Sequence, residues 1–167
     1  MRTTVVIYGS STGTCEGIAK RIASKLGLGE NSVVDVSKLN DDIIAQNDNL
    51  ILGTSTWGIG ELQDDWIDGL EKLKTMDLNG KTVALFGCGD CDSYSESFCG
   101  AMIELWNGIK SKGVNLIGEV PIDGYTFDDS ESVIDGRFVG LALDDVNEDD
   151  KTNDRIDNWI AQIKDRL

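Results

Sequence analysis

Segments with the pattern of strands alternate with segments with the pattern of helices along most of this chain. The strand-like runs are 3–7, 32–36, 49–54, 81–86 and 114–120, and apolar residues recur at helical spacing within 18–26, 40–46, 64–76, 98–109 and 156–163. Strands that are each followed by a helix favour a parallel sheet, because the chain must cross back before the next strand begins. We therefore predict an α/β fold, a doubly wound five-stranded parallel sheet with helices on both faces.

The alternation breaks once, between residues 120 and 150. Residues 124–129 and the acidic stretch after them are typical of an insertion, and the chain returns to an apolar run at 138–143. A length of 167 residues fits one domain, and we expect a single domain over 1–167. No apolar run approaches the ~20 residues that span a bilayer. The first residues lack a signal-peptide pattern, so we expect a cytoplasmic protein.

The turn after the first strand is rich in hydroxyl groups and leads directly into a helix. Its candidate binding residues are Ser10, Ser11, Thr12, Gly13, Thr14 and Cys15. The first N–H groups of a helix have no partner inside it, so this turn is suited to hold a phosphate. No Lys or Arg lies between Tyr8 and Ala19, and the nucleoside triphosphate loop pattern is absent. Neutral donors suit the phosphomonoester of a cofactor, although an ordinary helix-capping turn has the same composition.

Two further loops are expected beside this turn. In doubly wound sheets, ligands bind beyond the carboxyl ends of the strands, which selects loops 9–15, 55–63 and 87–94. The two later loops each carry one aromatic residue, Trp57 and Tyr94, suited to stack on a flat ring. The binding residues predicted in them are Ser55, Thr56, Trp57, Gly58, Ile59, Gly60, Cys88, Gly89, Asp90 and Tyr94.

The charge of the chain restricts its partners and its chemistry. The formal net charge is −15, and residues 119–157 hold 13 acids against three bases. Such a field repels nucleic acid and anionic membranes and attracts basic proteins. The chain has no His, the usual general base of Ser and Cys hydrolases, so we assign no catalytic residue.

The cysteines give no strong sign of a metal or a redox pair. Cys88 and Cys91 have CxxC spacing, but the sequence has no second CxxC and no His to complete a zinc site. We expect these residues to pack in the loop and the core, and we assign no metal.

With these motifs in place, the chain resembles the flavodoxins, small electron carriers that bind FMN without covalent attachment and are a known example of the strand-end rule. The resemblance covers nearly the whole chain and is carried by the three loops. It implies strand order 2-1-3-4-5 and, as in long-chain members, an insertion from about 121 to 141 that splits the fifth strand. It also implies a monomeric, low-potential carrier that shuttles between semiquinone and hydroquinone and serves reductases and acceptors with basic docking faces.

The resemblance also implies roles for the loop residues. Residues 10–15 would enclose the FMN phosphate, residues 56–59 would lie along the inner edge and one face of the ring, and Gly89, Asp90 and Tyr94 would cover its other face. The carbonyl of Gly58 would accept a hydrogen bond from the reduced flavin. Cys15 stands where the family usually has Thr, so one hydroxyl donor is lost. Val146 stands where some relatives are acidic, so we do not assign residues 144–146 to the site.

Two other classes of protein share this topology. The main alternative is an FMN-dependent quinone reductase, which needs space over the ring that Trp57 and Tyr94 are expected to close. A phosphoacceptor signalling domain needs an acidic pair after the first strand, where this chain has Tyr8 and Gly9. If a flavin is bound, acids in the second and third loops are expected to lower its second reduction potential by roughly 100–200 mV.

Overall fold

The main sheet has the predicted parallel order. The computed structural model describes residues 3–57 and 60–167. The strands of this sheet are β1 (Thr4–Gly9), β2 (Val33–Asp35), β3 (Asn49–Trp57), β4 (Glu61–Leu62), β5 (Thr82–Cys88), β6 (Asn115–Ile117) and β10 (Leu141–Leu143). The parallel strands follow the order β2-β1-β3-β5, with β6 and β10 both paired to β5. The prediction of order 2-1-3-4-5 is therefore confirmed.

The fifth strand of the predicted sheet is divided into two pieces along one edge. β6 pairs with the first half of β5 through Thr82–Asn115, and β10 pairs with its second half through Cys88–Leu143. Between them lies a small antiparallel sheet of β7 (Val120–Pro121), β8 (Val133–Ile134) and β9 (Arg137–Phe138). The predicted insertion is thus present, and it returns the chain to the carboxyl end of β5.

Helices cover both faces of the sheet. They are α1 (Thr14–Lys25), α2 (Asp41–Ala45), α3 (Asp64–Lys74), α4 (Met102–Ile109) and α5 (Asp149–Ile163). Apolar residues of α1 and α5 pack in one core, and those of α2, α3 and α4 pack in the other. The central strands are buried on both sides, as their continuous apolar runs require.

Several predicted boundaries differ from those of the structure, and three of them have a clear physical reason. The second strand covers only Val33–Asp35, because 3-10 turns at 30–32 and 36–38 take up its ends. Phe98 precedes α4 and packs against aromatic rings of the insertion, with its ring centroid 5.6 Å from that of Phe127. Val120 belongs to the small antiparallel sheet and not to the fifth strand. For Phe98 and Val120, contacts with the insertion determine the structure and override the local sequence pattern.

Within the part of the chain that the structure describes, no helix has the length and apolarity needed to cross a membrane.

Candidate functional site

The turn between β1 and α1 presents unpaired backbone donors. Gly13 precedes α1 with a φ of 90°, a conformation that glycine adopts readily, and its N–H donates to Ser10 Oγ at 3.0 Å. No group in residues 3–57 and 60–167 accepts a hydrogen bond from the N–H of Ser11, Thr12 or Thr14. Unpaired amides at a helix N-terminus are suited to bind an anion, and the hydroxyl groups around them could add further donors.

Cys15 offers this site its backbone and not its side chain. The residue is 1% exposed and packs in the core under α1. A hydrogen bond with Cys88, followed by burial, raises the pKa of the Cys15 thiol well above its usual value. Its N–H also has no acceptor among the described residues. The Cys15 side chain therefore contributes to a core contact between α1 and β5.

The second predicted loop is partly a strand. Residues 55–57, expected in a loop, are the last three of β3, which pairs there with β4 through Thr56–Leu62. The Trp57 indole is 42% exposed, and its Nε1 donates to Ser55 Oγ at 2.9 Å. Thr56 Oγ1 accepts from the N–H of Ala101 at 3.2 Å, which holds the strand end against the start of α4. The indole is thus fixed at the sheet edge with much of its surface free.

Two of the binding residues predicted in this segment, Gly58 and Ile59, lie outside the described residues. Gly60 follows them with a φ of 76°. Beyond it, Gln63 joins the second segment to the first, because its Nε2 donates to Ser11 Oγ at 3.1 Å. Two of the three predicted loops are therefore in direct contact.

The third loop, 88–94, is organised around the carboxylate of Asp90. Asp90 Oδ1 accepts from the N–H of Asp92 at 3.1 Å, from the N–H of Ser93 at 2.9 Å and from Asn147 Nδ2 at 2.7 Å. The Ser93 N–H is the main cause that lowers the pKa of Asp90, so its charge is kept at neutral pH. Tyr94 follows with half of its surface exposed.

Gly89 has a packing role in this loop. A Cβ at this position would lie 2.8 Å from the backbone nitrogen of Cys99, closer than real Cβ contacts allow. Its N–H donates to the carbonyl of Leu143 at 2.9 Å, which fixes the loop to the end of β10. Glycine is therefore required here by the protein itself.

The segment after β10, which was not assigned to the site from the sequence, lies beside the three loops in the structure. Asp145 and Val146 line the same cleft as the three loops. Asp144 is fully buried, and its Oδ2 accepts from the N–H of Cys91 at 2.9 Å and from Asn147 Nδ2 at 2.9 Å. These residues follow the carboxyl end of the second half of the fifth strand, so the strand-end rule that selected the other loops would also have selected them.

A cleft joins these four segments. Its volume is about 190 Å³, and it is lined by Thr12, Thr14, Ser55, Thr56, Trp57, Cys88, Gly89, Asp90, Tyr94, Asp145 and Val146. Cavities of about 540 and 690 Å³ lie under the insertion and beside α1, but neither of them is lined by both the phosphate turn and the two exposed aromatics. The small cleft, and neither of these two larger cavities, therefore combines helix-terminal donors with exposed aromatic rings.

One group of possible metal ligands lies behind the third loop. Ligand atoms of Cys91, Asp144 and Glu148 lie within 4.8 Å of one another. Both carboxylates already have partners. Asp144 accepts the hydrogen bonds from Cys91 and Asn147 described above, and Glu148 pairs with Lys151 at 2.6 Å and with Arg155 at 3.2 Å. Burial, followed by Asp144, raises the pKa of the Cys91 thiol to about 11 and keeps it protonated. We assign this group to packing and hydrogen bonding.

An uncharged, hydroxyl-rich turn lies beside two exposed aromatic side chains at the carboxyl edge of a doubly wound sheet, an arrangement suited to a flat ring with a phosphate tail. The flavodoxin family model matches residues 6–159. The chain is 41% identical to Flavodoxin 1 of Azotobacter vinelandii over 97% of this chain and 95% of that one. It is 40% identical to Flavodoxin 1 of Escherichia coli K12 over 100% of this chain and 96% of that one.

A solved structure has the same fold over the same length. The flavodoxin of Fusobacterium nucleatum bound to flavin mononucleotide superposes with a TM-score of 0.91 at 34% identity, over 100% of this chain and 99% of that one. The chain belongs to the flavodoxin family. Flavodoxins are electron-transfer proteins rather than enzymes, so the prediction of an electron-transfer protein is confirmed at the level of the family.

Proposed function

We propose that this chain, as one domain over residues 1–167, binds FMN without covalent attachment and carries single electrons between redox proteins. The observation that carries the proposal is the cleft itself, where free amides of the phosphate turn lie beside the exposed faces of Trp57 and Tyr94. A structural relative of this family is known with flavin mononucleotide bound. The bound flavin would supply reversible one-electron chemistry.

The residues present fit such a cofactor. The N–H groups of Ser11, Thr12, Thr14 and Cys15 have no acceptor among the described residues, which is the state expected of a turn that binds phosphate. The nearest cation along the chain, Lys20, pairs with Glu16 at 3.3 Å. The phosphate charge would therefore be held by neutral donors and not neutralised.

Unneutralised charge explains why we propose a strongly reducing carrier that cycles between the semiquinone and hydroquinone forms of its flavin. One charge at ~12 Å with an effective dielectric constant of about 20 contributes roughly 1.4 kcal/mol. For one electron this corresponds to about 60 mV. Asp90 stays ionised, and Glu61 and Asp64 are exposed near Trp57. Each of them would oppose the addition of a second negative charge.

The binding of FMN is tested by adding the apoprotein to FMN and following its fluorescence. We expect strong quenching with one FMN per chain and a yellow complex after gel filtration, with a mass that also tests the predicted monomer. Unchanged FMN fluorescence and a colourless protein would refute the proposal. A steady-state assay with NADPH and a quinone separates a carrier from a quinone reductase, because a carrier turns over neither.

The electrostatic part of the proposal needs a probe that leaves the third loop intact. Asp90 is a poor choice, since its carboxylate accepts two backbone N–H groups of that loop. Asp92→Asn removes one exposed charge from the same loop, and Asp165→Asn removes one in the 3-10 turn that follows α5 as a control. We expect a rise in the second potential with Asp92→Asn alone. Equal shifts in both variants would contradict the argument.

Basic partner proteins are part of this proposal. Trp57, Leu62 and Ile67 line one surface groove together with four acids, which are Glu61, Asp64, Glu104 and Glu131. Such a surface attracts a positively charged face and then contacts its apolar residues. Raising the salt concentration from about 0.1 M to about 1 M shortens the Debye length from ~10 Å to ~3 Å. Electron transfer to a basic acceptor protein is expected to slow accordingly, and a rate independent of salt would contradict this.

A cytoplasmic location stays a prediction.

A further inference from the structure

Asn147 connects two carboxylates that belong to different parts of the site. Its Nδ2 donates to Asp90 Oδ1 at 2.7 Å and to Asp144 Oδ2 at 2.9 Å. Asp90 organises the loop of residues 88–94, and Asp144 stands at the end of β10. The side chain therefore bridges the third loop and the return segment of the insertion.

Asp144 makes a second connection between the return segment and the loop of residues 88–94. Each of its two oxygens has a separate role. Oδ1 accepts from the N–H groups of Val146 and Asn147, at 3.1 and 2.9 Å, and shapes its own segment. Oδ2 accepts from the N–H of Cys91 at 2.9 Å and so holds the loop. A fully buried carboxylate with four such donors is a rigid anchor, because each donor would be left unpaired if it moved.

The loop that this pair holds carries the side chains that face the cleft. Asp90 and Tyr94 both line it, whereas Asn147 and Asp144 do not. The N–H of Tyr94 donates to the carbonyl of Asp90 at 2.9 Å, so a displacement of Asp90 would also move the phenol. Whatever fixes Asp90 therefore fixes one wall of the cleft.

We propose that Asn147, anchored by Asp144, is a positioning residue that holds the 88–94 loop closed over the ring of the cofactor. This inference rests on the proposed FMN function. It assigns the strength of ring binding partly to a residue that does not line the cleft, on the segment that follows the second half of the divided fifth strand.

The test is the affinity of the apoprotein for FMN and for riboflavin, measured by fluorescence quenching. Asn147→Ala is a mild change, since the residue is exposed. Asn158→Ala is the matched control, because Asn158 is an exposed residue of α5 that lies outside the cleft and outside the loop network. We expect Asn147→Ala to weaken both ligands about tenfold, equivalent to ~1.4 kcal/mol, since the loop closes on the ring and not on the phosphate.

A double-mutant cycle separates positioning from general stability. With Asp90→Ala already present, Asn147→Ala is expected to change FMN affinity by less than about threefold, because its acceptor on the loop is gone. Fully additive effects would overturn the inference, and so would an Asn147→Ala protein that binds both ligands as tightly as the control. If the unaltered protein and the control fail to bind FMN, the proposed function itself is wrong.

Discussion

The exposed face of Trp57 allows the contribution of stacking to be estimated from the structure. The indole is 42% exposed. An aromatic side chain of this size has up to about 250 Å² of surface, so roughly 100 Å² is free, and a ring stacked on one face would cover about half of it. At about 25 cal/mol per Å², removal of the indole costs roughly 1.3 kcal/mol of binding. Trp57→Ala should therefore weaken FMN binding about tenfold.

Titration of apoprotein into FMN, followed by the loss of flavin fluorescence, measures this change. Trp57→Phe keeps an aromatic face but loses the hydrogen bond from Nε1 to Ser55 Oγ, so we expect a smaller loss of about threefold. Ile134→Ala is the control, because Ile134 is a similarly exposed apolar residue on β8 outside the cleft. An affinity for Trp57→Ala within twofold of the unaltered protein would refute stacking, as would an equal loss in the control.

Two further predictions concern stability. A Cβ at Gly53 would lie 2.0 Å from the Phe86 ring, so Gly53→Ala should lower the free energy of unfolding by about 1–3 kcal/mol. Gly17 on α1 has open space around it, so Gly17→Ala should raise the free energy of unfolding by roughly 0.5–1 kcal/mol. Urea unfolding measures both changes, and equal effects would contradict the packing argument. Desolvation opposes the ionisation of Asp144, but hydrogen bonds from Cys91 and Asn147 outweigh it and lower its pKa. A lowered folded-state pKa gives stability above the unfolded value, near 3.9, that is lost as the pH falls through the folded one. Thermal unfolding of the apoprotein should therefore show a steep loss below about pH 4, and Asp144→Asn should flatten it; an unchanged profile would contradict this.

The order of elements could be predicted because each signal was local. A continuous apolar run such as Leu50 to Leu52 indicates a strand buried on both faces, and the spacing of Trp66, Leu70 and Leu73 indicates one helix face. Neither inference needs any knowledge of the partner element. The strand-end rule then places the turns that follow these strands at one edge of the sheet.

The errors occurred where long-range contacts decide the structure. Phe98 has helical spacing with Met102, but the ring is held by the insertion, and the chain before α4 is not an α-helix. The bond between Asp144 and Cys91 joins residues 53 positions apart, a pairing that no local pattern indicates. Asp144 is one of several acids in an acidic stretch. The sequence therefore did not distinguish this buried residue from its solvent-exposed neighbours.

The second half of the divided fifth strand positions one segment of the site. β6 pairs with the first half of β5, away from the loop that follows β5. β10 pairs with Phe86, Gly87 and Cys88, the last residues before the third loop, and Leu143 then accepts the N–H of Gly89. A second strand piece placed there brings its own following residues to the same edge of the sheet. The residues after β10 thus supply a fourth segment to the cleft, and Asn147 and Asp144 in this segment hydrogen-bond to Asp90 and Cys91 of the third loop.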